Sequence, residues 1–184
     1  MKINRAISFA VWKHRKQMRK GTNLPYIVHP LAVMNALINF KCSEDVIIGG
    51  VLHDILEDTN TSYLELRLRF GKRVADIVKG CSENKKLSWK ERKQETIDKM
   101  MNPVDYDVFM VELADKYCNL VDIFIDCDKP NFWKRFKVSK KSLGWYYKGL
   151  GKAIKKYSDE NNRVFETIAI SFNAMYKYVF ERRK

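Results

Sequence analysis

Residues 49–58 read Gly-Gly-Val-Leu-His-Asp-Ile-Leu-Glu-Asp, and the way this stretch winds decides how the rest of the chain is read. Wound as a helix, it places Ile47, Ile48, Val51, Leu52, Ile55 and Leu56 in one wide apolar stripe. Gly50, His53, Asp54, Glu57 and Asp58 fall on its flank. His53, Asp54, Glu57 and Asp58 are all ionisable, and such groups beside a core stripe are costly to bury without compensating charge. A divalent cation supplies that charge, and imidazole with carboxylate suits Mn²⁺, Fe²⁺ or Zn²⁺. The plain alternative is a solvated helix end, though a helix C-terminus disfavours acids.

Outward from this stretch the punctuation is helical throughout, with no alternating strands joined by hairpin turns. A first helix is predicted over residues 3–19, stopping near Gly21, and a second from Pro30 to Asn39. Ser43 is placed to cap a third. Ser62-x-x-Glu65 and Ser88-x-x-Glu91 match capping boxes and predict helices over 63–70 and 89–101, with another over 72–79. A long apolar helix is expected over 106–125, then two more over 131–157 and 161–181. The expectation is an all-α fold of eight or nine helices in a single domain, residues 1–184.

Two further features join the His-Asp pair. Asp115 lies in Val108-Phe109-Met110-Val111-Glu112-Leu113-Ala114-Asp115-Lys116, inside a mostly apolar helix, with Asn119 one turn later on the same face. A carboxylate in that setting is usually paired or metal-bound, and a salt bridge to Lys116 or another lysine is the plain alternative to a metal. The other feature is Arg19-Lys20-Gly21, followed by Pro25-Tyr26-Ile27-Val28-His29-Pro30. Arg19 and Lys20 can hold a phosphate or stack on a base, or serve as ordinary surface charge. His29 before a proline is by itself a turn residue, and its functional reading rests on its company.

The bulk composition bounds the function. A hydrophobic fraction of 46% belongs to a globular chain and excludes a disordered one. Cys42, Cys81, Cys118 and Cys127 form no C-x-x-C pair, which argues against a zinc ribbon or disulfide framework and predicts a reducing cytoplasm. The apolar stretch Ala6–Trp12 lacks a cleavage site, and Pro25, His29 and Pro30 make 21–40 a poor membrane span. Residues 129–184 carry 15 Lys+Arg against 4 Asp+Glu, or +11 of the total +13. That asymmetry points to a polyanionic partner, or else to a solvated face.

The ordered segments Phe9-Ala10-x-x-x-His14, RKGTNLPYIVHPLAV (19–33), VLHDILEDTNTSYLEL (51–66), FGKRVADIVKG (70–80), ENKKLSWKERK (83–93) and ELADKYCNL (112–120) resemble one family. It is the HD-type hydrolase domain of the Rel/SpoT alarmone enzymes, especially their stand-alone form, the small alarmone hydrolases. The resemblance covers residues 6–125 strongly and the basic helical part, 129–184, weakly. It implies one divalent ion, Mn²⁺, held by His29, His53, Asp54 and Asp115, with Glu57 and Asp58 as catalytic carboxylates. Arg19, Lys20 and Asn119 match nucleotide-contacting positions, and His14 matches a position that is not a ligand. The implied reaction removes the 3′-pyrophosphate of ppGpp or pppGpp, giving GDP or GTP.

Some stand-alone members act instead on adenosine alarmones such as ppApp, or on NADPH. Val121 stands where the family often has arginine, and Lys137 and Lys141, anchored on Trp133, are the nearest counterparts of its downstream substrate contacts. The rival reading is a catalytically inactive HD-fold module that binds nucleic acid through the basic segment, with Trp133, Trp145, Tyr146 and Tyr147 as stacking surfaces. A third reading joins the two, a hydrolase that protects against an alarmone-producing partner protein.

Overall fold

The computed structural model describes residues 1–161 and 163–182. Among these, nine α-helices of two turns or more, one single α-turn, one 3₁₀ turn and one π turn account for the regular structure, with no strand beyond an isolated Met18–Pro25 bridge. The all-α expectation holds. None of the helices is long and apolar enough to cross a membrane.

The chain divides into two compact units, and the first comprises residues 1–84 and 105–118. It holds α1 (Lys2–His14), α2 (Val28–Asn39), α3 (Glu44–Leu52), the single turn α4 (Ile55–Asp58), α5 (Tyr63–Phe70), α6 (Lys72–Cys81) and most of α8 (Tyr106–Asp126). Ala6 and Ala10 of α1, Ile48, Val51 and Leu52 of α3, Leu66 and Phe70 of α5, and Val74, Ala75 and Val78 of α6 pack into one apolar core. Helix α3 sits at its centre because it is apolar nearly all round, with every residue from Val46 to Leu52 buried. Gly49 makes that possible, since a Cβ there would lie 2.7 Å from Cγ2 of Ile77 on α6. The β-branched Ile77 has little freedom to yield.

Of the boundaries that differ from the sequence reading, two shape the polar centre of this unit. Helix α1 ends at His14 rather than near residue 19. Residues beyond it pair instead with the loop before α2: Tyr26 N–H donates to Gln17 O at 2.9 Å and Arg19 N–H to Leu24 O at 2.8 Å. Gly21, with φ of 72°, turns the chain between them. The stripe through 47–58 is not one helix either. It breaks at His53-Asp54, and Asp54 O accepts from the N–H groups of Glu57 and Asp58 at 3.1 and 2.9 Å. Glu57 and Asp58 therefore lie in a single fresh turn, not at the C-terminus of a long helix, and the helix-dipole argument for them falls away. Helix α2 opens two residues before Pro30, which is tolerated because the first turn leaves its N–H groups unpaired.

The second unit, residues 85–104 and 119–184, contains α7 (Trp89–Met101), a 3₁₀ turn (Phe132–Arg135), α9 (Lys140–Asn161), α10 (Arg163–Tyr176) and a π turn (Lys177–Glu181). Ser88 and Glu91 form the expected reciprocal capping box on α7. Predicted helix 131–157 is split into the 3₁₀ turn and α9, and residue 162, between α9 and α10, lies outside the described residues. Tyr146 and Tyr147 are buried in this unit, Tyr147 stacking on Phe180 at 5.6 Å. Those two rings belong to the core, not to a solvent-facing stacking surface.

Arg73 on α6 reaches across to the start of α8, bonding both oxygens of Asp105 at 2.7 Å and also Asp107. Asp105 in turn caps α8, accepting from the N–H groups of Asp107 and Val108 at 3.0 and 3.3 Å. The Arg73 guanidinium and these N–H groups hold the Asp105 carboxyl below its usual range. A depressed folded value means the contribution is present above the unfolded value near 4 and fades as pH falls through it. Asp105→Ala is thus expected to cost about 1 kcal/mol at pH 7, the gap to wild type narrowing below about pH 4 in urea melts. Gly49→Val, which forces a side chain onto Ile77, is expected to cost about 1–3 kcal/mol in the same assay.

Candidate metal centre

The break at His53-Asp54 turns His53 inward. Its Nδ1 lies 2.7 Å from Gly50 O, one turn back on α3, so Nδ1 carries the proton and donates. Nε2 then faces the acids. It stands 2.9 Å from Oδ2 of Asp54 and 3.7 Å from Oδ1 of Asp115. Neither approach has hydrogen-bond geometry, and this buried nitrogen has no hydrogen-bond partner among the described residues.

His29, in the first turn of α2, brings its Nε2 to 2.9 Å from the same Oδ1 of Asp115. The two imidazoles meet edge-on at 5.2 Å. One donor atom each from His29, His53 and Asp115 lies within 4.8 Å of the others, and all three residues are buried. Asp54 adjoins this triad through His53 and is only partly buried.

Asp115 forms the ion pair that the sequence offered as one of its roles, and keeps its second oxygen toward the histidines. Lys116 bonds Oδ2 and also Glu112 at 2.8 Å, while Oδ1 faces the two histidines. Burial works against its charge, but Lys116 and the imidazoles hold the Asp115 carboxyl well below the usual range. Burial likewise opposes protonation of His53, yet Asp54 and Asp115 outweigh it and raise its pKa to about 9. At His29 burial wins over Asp115, and the pKa falls. The site thus pulls positive charge toward Nε2 of His53. A divalent ion satisfies that pull with the donor set of two imidazole nitrogens and carboxylate oxygen that borderline metals favour.

Tyr26 was not singled out from the sequence, yet its hydroxyl donates to Oδ2 of Asp54. Burial and the Asp54 charge push its pKa up, so the phenol keeps its proton and can only donate to the acid. The signal available was its place three residues before His29 in the same loop. Glu57 accepts from the Glu83 N–H at 2.8 Å, and the exposed Asp58 accepts from Gln17 Nε2 at 2.9 Å. Arg19 is half-buried in the paired segment and close enough for its charge to depress His29, and Lys20 beside it is exposed. Asn119, Lys137 and Lys141 belong to the second unit, where both lysines are exposed.

Comparison with known proteins gives a consistent picture. The profile of the HD domain matches residues 6–142. The chain is 36% identical over 146 residues to a guanosine-3′,5′-bis(diphosphate) 3′-pyrophosphohydrolase of Aquifex aeolicus, covering 78% of this chain but only 20% of that protein's length. It is 30% identical over 181 residues to the mouse 3′-pyrophosphohydrolase MESH1, covering 97% of this chain and 92% of the relative. In structure it resembles a metazoan SpoT orthologue described as hydrolysing ppGpp, with TM-score 0.78, 25% identity and 96% of each chain covered. A Listeria monocytogenes protein superposes with TM-score 0.74 at 29% identity, covering 84% of this chain and 99% of that one.

If the buried triad takes a metal, Mn²⁺ at a hundred times its dissociation constant is expected to add about 2.7 kcal/mol to the unfolding free energy. His53→Ala should show no such gain in thermal or urea melts, and an equal gain in both proteins would remove the triad as the binding site.

Proposed function

This chain belongs to the HD domain family, and on that footing we propose that it is a metal-dependent phosphohydrolase removing the 3′-pyrophosphate of ppGpp or pppGpp, with GDP or GTP and pyrophosphate as products. The observation that carries the reading is the buried His29–His53–Asp115 triad with an unsatisfied nitrogen aimed at two acids. The family's 3′-pyrophosphohydrolases, one of them matched over nearly its whole length, support the substrate class.

His29, His53, Asp54 and Asp115 would hold one divalent ion, Mn²⁺ in this reading, with Tyr26 orienting Asp54 and Lys116 orienting Asp115. A bound divalent ion supplies Lewis acidity, activating water and polarising a phosphoryl oxygen. Glu57 and Asp58 lie just beyond the ligand pair and accept the proton of the attacking water. Their carboxylates are held by the Glu83 N–H and the Gln17 amide, so each presents an oxygen in a fixed direction. Arg19 and Lys20 neutralise the substrate's phosphates from the hairpin before α2. Asn119, Lys137 and Lys141 are further candidate contacts, on the strength of the resemblance alone.

The test is incubation with Mn²⁺ and a panel of ppGpp, pppGpp, ppApp and NADPH, measuring pyrophosphate and phosphate separately. Pyrophosphate from the guanosine substrates is the expected result. Phosphate from NADPH alone would replace the reading with a phosphatase, and steeply salt-dependent nucleic-acid binding without turnover would favour the binding-module rival. Glu57→Ala should keep its Mn²⁺ affinity by calorimetry while losing about 10²–10⁴-fold in kcat. His53→Ala should lose both.

A further inference from the structure

Gln17, half-buried three residues past the end of α1, bridges a buried histidine and an exposed acid. Its Nε2 is 2.9 Å from Asp58 Oδ2 and its Oε1 is 2.7 Å from His14 Nδ1. The acid dictates the direction of both bonds. A carboxylate only accepts, so the amide nitrogen must face Asp58 and the amide oxygen must face His14. That oxygen also only accepts, so His14 Nδ1 must carry the proton.

The remaining nitrogen, His14 Nε2, is buried and has no hydrogen-bond partner among the described residues, so the bond at Nδ1 is the one that fixes the ring. The imidazole is 3% exposed and lies 4.9 Å from the Tyr26 ring. The backbone gives Gln17 little latitude, since its N–H donates to His14 O at 2.8 Å and its O accepts from Tyr26 N–H at 2.9 Å. A fixed histidine thus orients a fixed amide, and the amide orients an acid that burial does not constrain.

We infer that His14 and Gln17 form a positioning chain that holds the Asp58 carboxylate in its working orientation, an inference that rests on the hydrolase reading. Neither residue touches the reacting atoms. Both act through Asp58.

A double-mutant cycle on the Mn²⁺-loaded protein with ppGpp tests this. Gln17→Leu should lower kcat about 10- to 100-fold with KM changed less than about threefold. In an Asp58→Asn background the same change should cost less than about twofold, because the group it positions is gone. Equal losses in both backgrounds, as from general loosening of the fold, would overturn the proposal, and so would an undiminished kcat in Gln17→Leu.

Nitrogen-15 spectra of the imidazoles in the wild-type protein, which need no turnover, should show His14 as the Nδ1–H tautomer. The Nε2–H tautomer would break the chain of donors and overturn it too. The two readings fail differently. A wild-type protein that hydrolyses no nucleotide in the panel ends the hydrolase reading and the positioning role with it. An active protein without coupling between Gln17 and Asp58 ends the positioning role alone.

Discussion

Burying the Asp115 carboxylate is the constraint on which the rest of the first unit depends. A lone carboxylate at 6% exposure inside an apolar helix would be strongly destabilising. Lys116 answers one oxygen from the next position on α8, and His29 answers the other from α2. His53 approaches that second oxygen from the end of α3. Three helices must therefore arrive at one point with their side chains in register, and the close crossing at Gly49 belongs to the same requirement. Packing and electrostatics are not separate here, because the core stripe of α3 and the polar centre share a helix end.

The two backbone irregularities serve that centre. Had the stripe through 47–58 continued as one helix, His53 and Asp54 would project along its flank at helical spacing. The break lets the His53 ring fold back on Gly50 while Asp54 turns toward Tyr26. The early end of α1 acts similarly. By leaving the helix at His14, the chain can pair backbone with the 24–26 segment, which places Tyr26 and His29 against the cluster and Arg19 beside it. Polar groups displaced from regular structure are satisfied locally, so the distortions cost little.

Much of this was legible in the sequence, for identifiable reasons. Helix periodicity and caps marked α5, α7 and α8 within a residue or so, because Ser62, Ser88 and the apolar run from Val108 are local signals. From the residues alone only His53-Asp54 beside a core stripe and Asp115 inside an apolar helix stood out, and His29 joined them through the family resemblance. Local signals could not show where a helix stops for tertiary reasons: nothing between His14 and Gly21 reads as a terminator, and the pairing partner lies in another segment. Gln17 was invisible for the same reason, since a glutamine among basic residues carries no pattern. Tyr146 and Tyr147 misled because aromatic residues between lysines read alike whether they face water or a neighbouring helix.

The first unit is discontinuous, with α7 intervening between Asn84 and Asp105 before α8 returns to complete it. During synthesis this orders events. His29 and His53 leave the ribosome long before the acid that joins them, and α3 waits with a buried face lacking its α8 neighbour. The polar centre cannot be complete until α8 has been made, and Arg73 on α6 bonds Asp105 and Asp107 where that helix begins.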